Sequence, residues 1–121
     1  MPNTRGELEA EFTIAIIQLE KEYLGRGPLD ARTFFMDDMI LVRLRGVMTQ
    51  AEQKLAETEH GSNLIKETRR QLFETSRPFL EAKVKKILGC EVVSFHSDIS
   101  TKTGERVVVL TVNVNLDRNF K

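Results

Sequence analysis

His96 and Asp98 are the residues whose types and spacing best suit chemistry. They lie two positions apart in an alternating, β-branched run, so they share one face of a predicted strand. An imidazole beside a carboxylate is the usual starting point for general acid or base catalysis. The same two residue types also occur in ion-pair networks and at subunit interfaces, and we favour that structural interpretation.

Three arginines extend this surface if two predicted hairpins join in one sheet. Arg32, Arg43 and Arg45 occupy the base of the first hairpin, on the face that also carries His96 and Asp98. Guanidinium groups bind carboxylate, phosphate or bicarbonate through paired hydrogen bonds. The sequence therefore offers a candidate small-anion or small-ligand site, with a minor enzyme as one form of that alternative.

Arg26 is a further candidate anion ligand, in the segment Gly25-Arg26-Gly27-Pro28. Backbone amides of a glycine-rich loop can cradle an anion, and Arg26 would add positive charge. The spacing matches neither the phosphate-binding loop nor the dinucleotide-binding glycine motif. A structural turn is the favoured interpretation, and anion binding is the alternative.

No other residues form a recognisable catalytic or metal-binding pattern. His60 lies at a predicted helix end, away from His96 and Asp98, so we predict no metal site. Cys90 is expected to be a small buried side chain without a neighbouring base to activate it. We therefore name no catalytic residue and no cofactor.

Length and composition limit the class of protein. The 121 residues carry 18 Lys and Arg and 18 Asp and Glu, so no net field favours nucleic acid or an anionic membrane. No apolar run approaches the ~18 residues of a membrane span, and no secretion signal is evident. We expect a single soluble, cytoplasmic domain over residues 1–121 that neither binds nucleic acid nor inserts into a membrane.

Apolar periodicity predicts a first long helix that Thr4 caps and that ends at Gly25. Ile14 and Ile17 widen its apolar stripe, which favours burial on more than one side. Either a partner subunit or a later helix of the chain could supply the second contact.

Capping residues predict a short helix and then a second long one. Thr49 opens the short helix, which runs through Leu55, and we expect His60-Gly61 to break it. Ser62 then caps a long helix that ends at Gly89. Pro78 inside that helix predicts a kink or a break, with the kink favoured.

Two hairpins complete the predicted fold. The first turns at Asp37-Asp38 and the second at Thr101–Gly104. The inward face of the second is predicted to carry Val93, Phe95, Ile99, Val108, Leu110, Val112 and Val114. The element order predicts an α+β fold, a two-layer sandwich in which two long helices and one short helix pack on one face of a four-stranded antiparallel sheet. We expect the tail Asp117–Lys121 to be frayed.

The outward face of the first hairpin is unusually apolar. Phe34, Met36, Met39 and Leu41 lie near its tip, and three arginines lie at its base. A monomer of this size rarely exposes such a patch. We therefore expect these four residues to form a subunit interface in a homo-oligomer, most simply a two-fold dimer.

Several motifs, taken in order, resemble those of the MpsC-like family of small bacterial proteins. The resemblance covers roughly residues 8–116, and it rests on Gly25-Arg26-Gly27-Pro28, Met39 through Arg43-Leu44 to Gly46-Val47-Met48-Thr49, Ala51-Glu52 with Leu55, Arg77-Pro78 with Leu80-Glu81, Gly89-Cys90, and Asp98-Ile99-Ser100-Thr101 with Gly104-Glu105. The family is classed as a domain of unknown function. Its name reflects an association with a sodium-coupled, membrane-potential-generating and bicarbonate-transport system.

The resemblance implies a non-catalytic accessory or regulatory protein that works beside a membrane transporter through protein contacts. It implies no transport by this chain itself, because no segment of the sequence could carry an ion across a bilayer. The alternative is the small-anion binder that uses the Arg, His and Asp face.

Overall fold

The computed structural model describes residues 4–120, and within them it contains four helices and four strands. In chain order these are α1 (Arg5–Tyr23), β1 (Asp30–Met36), β2 (Met39–Arg45), α2 (Gln50–Leu55), α3 (Glu59–Leu88), β3 (Val92–Ile99), β4 (Arg106–Val112) and α4 (Leu116–Asn119). The sheet is antiparallel throughout, with strand order β1-β2-β4-β3. The predicted α+β class and the four-stranded sheet are confirmed.

The predicted register of both hairpins is confirmed. Met36 pairs with Met39 across the first turn, where Asp37 takes a left-handed backbone conformation with φ 59°. His96 pairs with Val109 and Asp98 with Val107 in the second hairpin. Alternate side chains of each strand therefore point to opposite faces as the parity predicts.

The core lies between one face of the sheet and the helices α1 and α3. Phe12, Ile16 and Leu19 of α1 are fully buried, as are Leu80 and Val84 of α3. They meet the inward side chains of the sheet, including Ile40, Val42, Leu44, Val108 and Leu110. In the single chain Ile14 is 67% exposed and Ile17 is half-buried, so no later helix covers Ile14.

The boundary between α2 and α3 differs from the prediction. Thr49 and Glu52 form the predicted capping box, but Thr58 caps α3 and Ser62 does not. His60 and Gly61 thus lie in the first turn of α3 instead of breaking a helix. A Cβ atom on Gly61 would lie 1.8 Å from the carbonyl oxygen of Leu55, so this glycine permits close packing of two helices.

α3 runs through Pro78 without a break. Proline removes one backbone hydrogen bond and crowds the preceding turn. Pro78 is exposed, so water can solvate the carbonyl that loses its bond. Ser76, two residues earlier, is buried, and its hydroxyl donates to the carbonyl oxygen of Phe73 at 2.6 Å.

Two predictions near the ends of the second hairpin are wrong. A register shift between Val92 and Ser94 turns Val93 outward, where it is 62% exposed, and Val92 packs against the core in its place. The predicted fraying of the tail is wrong for residues 117–120, because Leu116–Asn119 form α4 and Leu116 is fully buried. Asp117 also accepts from Arg5 at 2.5 Å and from the backbone N–H of Asp37 at 3.0 Å. Lys121 lies outside the described residues.

Candidate functional site

The sheet face opposite α1 and α3, here called the open face, carries most of the residues predicted to be functional. Three rows of paired residues cross it from β1 to β3 in the order β1, β2, β4, β3: Met36, Met39, Thr111 and Ser94; Phe34, Leu41, Val109 and His96; Arg32, Arg43, Val107 and Asp98. The centre of the open face is therefore apolar. One end of β1 and β2 is basic, and β3 carries an imidazole and a carboxylate.

The predicted interface residues lie together on this face. Phe34 is 40% exposed and Met36 is 51% exposed, whereas Met39 and Leu41 are half-buried. The structure thus places all four side chains on one surface that no helix within residues 4–120 covers.

The three sheet arginines lie at one end of the open face but do not converge on a single point. Nε of Arg43 donates to Oε2 of Glu105 at 2.6 Å. The guanidinium of Arg32 lies 5.3 Å from the ring centroid of Phe34. Arg45 is exposed at the end of β2. The three arginines therefore form a basic edge, and two of them have partners within the same chain. They do not enclose an anion site.

His96 and Asp98 are both exposed on β3. Oδ1 of Asp98 accepts from the backbone N–H of Ile99 at 2.9 Å, which orients the carboxylate along its own strand. Asp98 and Arg43 lie on strands separated by β4, because both residues pair with Val107.

Arg26 lies apart from the open-face residues, in the loop after α1. Its Nη2 donates to the carbonyl oxygen of Gly46 at 2.5 Å, which ties that loop to the end of β2. Gly25 has φ 102° and supplies the left-handed backbone of the turn. This geometry is that of the structural turn.

A buried charge cluster, which the sequence interpretation missed, lies between the sheet and the helices. Nη1 of Arg106 lies 3.3 Å from Oε1 of Glu20, and the two side chains are 2% and 1% exposed. The guanidinium of Arg106 also lies 4.2 Å from the ring centroid of Phe73. Nε of Arg106 donates to the hydroxyl of Ser97 at 3.2 Å.

Arg69 forms the second ion pair of this cluster. Its Nε and Nη2 donate to the two carboxylate oxygens of Glu52 at 2.7 Å each, and Nη2 also donates to the carbonyl oxygen of Val47 at 2.8 Å. Paired donors on a carboxylate make a strong, directional contact. This pair connects α2, α3 and the loop after β2.

Burial affects the two ion pairs differently. Loss of solvent raises the pKa of Glu20, and the nearby Arg106 and Arg69 offset this only in part. Loss of solvent also lowers the pKa of Arg106 to about 10. Burial alone would raise the pKa of Glu52 as well, but the hydrogen bonds from Arg69 and Thr49 hold it below its ordinary value.

Spacing in the sequence does contain a signal for these residues. Arg106 shares the inward parity of Val108, Leu110 and Val112. Glu20 lies four residues after Ile16 on α1, and Arg69 lies four residues after Ile65 on α3. Charged residues at core positions of a periodic pattern indicate a buried ionic site.

A cavity of 180 Å³ opens beside this cluster, between α3 and the second hairpin. Arg69 and Arg106 line it, together with Asn63, Lys66, Arg70 and Ser97. Its walls also include the carboxylate residues Glu67 and Asp98. Asp98 is the one predicted site residue that contributes to this cavity.

Within residues 4–120, no three His, Cys, Asp or Glu side chains form a group that could hold a metal ion. Cys90 is 3% exposed, as predicted, and burial raises the pKa of its thiol, which disfavours the reactive thiolate. None of the helices described is long and apolar enough to cross a membrane.

Comparison with known proteins identifies the family. The model of the family described as "Na+-translocating membrane potential-generating system (MpsC)" matches residues 4–114. The chain belongs to the MpsC family. The resemblance of its motifs to that family is therefore confirmed.

Two proteins of Bacillus subtilis (strain 168) are similar to this MpsC family member along most of their length. The uncharacterized protein YbcI is 40% identical over 121 residues, which is 100% of this chain and 98% of the relative. The uncharacterized protein YrhF is 28% identical over 109 residues, or 88% of each chain. No solved structure matches the chain.

Proposed function

We propose that this MpsC family member is a non-catalytic accessory protein that works as a homodimer through its open face, beside a membrane transport system. The transport association rests on the family description, which names a Na+-translocating, membrane-potential-generating system. The use of the open face rests on its half-exposed apolar centre. Large exposed apolar patches with a polar rim typically mark protein interaction sites.

A second copy of the chain is the occupant that the charge pattern supports. The basic end of β1 and β2 and the carboxylate on β3 lie at opposite edges of the open face. A two-fold axis parallel to the strands would lay β1 over β3 of the second copy, and β2 over β4. Arg32 would then face Asp98 of the second copy, while the apolar centre of each face would meet the other.

Other two-fold arrangements are less favourable. An axis perpendicular to the strands and parallel to the sheet would stack the arginine row against the row of Met36 and Met39, with no opposite charge to meet it. Edge-to-edge pairing through β1 is opposed by α1, because Oε2 of Glu9 already accepts from the edge N–H of Phe35 at 2.6 Å. Two sheets packed face to face cross at about 30°. At that angle an arginine side chain of one copy can still reach the opposite charge on the second copy.

A charge-swap experiment tests this dimer. Analytical ultracentrifugation at micromolar concentration should give a dimer for the unchanged chain and a weaker dimer for Arg32→Asp and for Asp98→Arg. The variant carrying both changes should regain most of the affinity, because each new charge again meets its opposite. Lys54→Glu on the exposed surface of α2 is the matched control and should leave the mass unchanged. A monomeric unchanged chain, or a double variant no better than the singles, would refute the proposal.

The transport association needs a cellular test. Loss of the gene should lower the Na+-dependent membrane potential of its bacterium, and the unchanged chain should restore it. Arg32→Asp should fail to restore it, whereas the Arg32→Asp, Asp98→Arg pair should succeed. An unaltered potential in cells without the gene would contradict this part of the proposal.

A further inference from the structure

We propose that the cavity between α3 and the second hairpin binds a small oxyanion such as inorganic phosphate. This site shares Asp98 with the proposed dimer surface, but its other lining residues lie outside the three rows of the open face, and its existence does not depend on the proposed function. Its strongest support is the buried guanidinium of Arg69, which lines the cavity and whose Nη1 has no hydrogen-bond partner within residues 4–120. The buried guanidinium of Arg106 lines the same cavity, and its Nη1 lies 3.3 Å from Oε1 of Glu20.

The donor inventory of Arg69 and Arg106 shows the unused groups. Arg69 is 4% exposed and uses Nε and Nη2 for Glu52 and Val47, and within residues 4–120 its buried Nη1 has no hydrogen-bond partner. Arg106 is 2% exposed and uses Nε for Ser97. Its Nη1 forms the ion pair with Glu20 without the geometry of a hydrogen bond, and it makes no hydrogen bond to any other residue that the structure describes. Buried donors normally have acceptors.

The chemistry of the lining selects an oxyanion over other ligands. Guanidinium N–H groups are donors only, so their ligand must supply acceptor atoms. The amide of Asn63, the ammonium of Lys66 and the hydroxyl of Ser97 add further donors around the same space. A cation would meet four cationic side chains against two carboxylates, and an apolar ligand would leave the donors unpaired.

Size and charge set the expected strength of binding. A cavity of about 180 Å³ exceeds the roughly 10–15 Å³ that a single water needs on the same measure of volume. Arg70 adds a cation, but its Nη2 and Nε already bind Glu67, which also lines the cavity, and Asp98 adds a second carboxylate. Glu20 and Glu52 further offset the two buried arginines. We therefore expect saturable binding at millimolar concentration.

Titration with inorganic phosphate at constant ionic strength, followed by NMR, tests the site. The backbone amides of Ser97 and Ile99 and the Nε–H signals of Arg69 and Arg106 should shift along one saturable curve. Chloride at the same ionic strength should not shift them. Shifts confined to Arg32, Arg43 and Arg45, or no saturable shift, would overturn the proposal, since the buried donors would then be satisfied by water alone.

Two variants test which side chains of the cavity contribute to phosphate binding. Lys66→Gln removes an exposed cation from the cavity wall without removing core volume, and it should weaken phosphate binding about tenfold. Lys54→Gln on α2 is the matched control and should bind phosphate like the unchanged chain. Arg106→Lys keeps the charge but loses the guanidinium fork, and it should abolish binding if the variant folds. Equal affinity in Lys66→Gln and Lys54→Gln would overturn the proposal, even if Arg106→Lys does not fold.

Discussion

Arg106 on β4 and Glu20 on α1 form an ion pair that is almost completely removed from solvent. The distance from Nη1 to Oε1 is 3.3 Å, and neither carboxylate oxygen has a hydrogen-bond partner within the described residues. Taking two charges out of water can cost more free energy than their attraction returns unless hydrogen bonds complete the site. This explains why the pKa of Glu20 is raised in spite of two nearby arginines.

The first prediction concerns Glu20→Gln and pH. Because the folded-state pKa of Glu20 lies above its ordinary value of 4.5, the folded chain binds more protons than the unfolded chain just above pH 4.5. The contribution of Glu20 to the free energy of unfolding therefore falls as the pH rises from 4.5 through the folded pKa, by about 1.4 kcal/mol for each pH unit of difference. Glu20→Gln does not undergo this loss of stability. The free energy of unfolding of Glu20→Gln minus that of the unchanged chain should therefore be larger at pH 7 than at pH 4. Urea denaturation at both pH values measures the difference, and the opposite slope would show that the ion pair outweighs desolvation.

The second prediction concerns Glu52→Gln, for which the sign is reversed. The folded-state pKa of Glu52 lies below its ordinary value of 4.5, so its stabilising effect is complete above pH 4.5 and is lost as the pH falls through the folded pKa. Arg69 is 5% exposed at its side chain and Glu52 is 24% exposed, which reduces the effect through solvent screening. We expect Glu52→Gln to lose about 1–3 kcal/mol at pH 7 and much less at pH 3. Denaturation curves with an equal loss at both pH values would contradict this.

Parity and helical spacing were sufficient to predict the sheet, its register and its inward face. Ile40, Val42 and Leu44 alternate with outward residues, and no bulge interrupts the pairing of β1 with β2. The same reasoning was wrong for Val93, because a register shift after Val92 inverts the faces of one short segment. A bulge adds a residue without a signature in the hydrophobic pattern.

The third prediction tests these faces. Leu80→Asp and Val112→Asp should unfold the domain, because both side chains are at most 2% exposed and an unpaired buried carboxylate costs several kcal/mol of the ~5 to 15 available. Val93→Asp and His96→Ala should each change the free energy of unfolding by less than about 0.5 kcal/mol. Thermal melts measure all four variants. An unfolded Val93→Asp variant would mean that Val93 belongs to the core after all.

The buried charge cluster could have been suspected from sequence, but its contacts could not have been assigned. Arg106, Glu20 and Arg69 each occupy a core position of a local pattern. Which partner each one meets depends on how α1 and α3 lie across the sheet. A periodic pattern predicts which face of a helix is buried, but it does not predict the angle at which the helix crosses its neighbours. The candidate residues of the open face were found because pairing alone brings them together.

The fourth prediction uses the basic edge to separate an interface from an anion site on the open face. Arg43→Ala and Arg45→Ala each remove a fork of donors and no core volume, since both side chains are exposed. We expect both to shift the monomer–dimer equilibrium measured by light scattering, with no dependence on phosphate. If phosphate instead raises the melting temperature saturably, and both variants remove that response without changing the mass, the open face is an anion site.

The last prediction concerns Gly61, which links the helix boundary to the buried ion pair. Its backbone lies so close to α2 that a Cβ atom would meet the carbonyl oxygen of Leu55 at 1.8 Å. In Gly61→Ala, α2 must therefore move away from α3, and Glu52 on α2 must move with it while Arg69 stays on α3. Overpacking at a backbone contact costs about 1–3 kcal/mol, and loosening of the ion pair should also raise the pKa of Glu52. Asn63→Ala is the control, because it changes an exposed residue two positions further along α3 without adding volume. NMR titration of the Glu52 carboxylate and urea denaturation measure the two effects, and an unshifted Glu52 in a destabilised Gly61→Ala variant would show that the strain is relieved without moving α2.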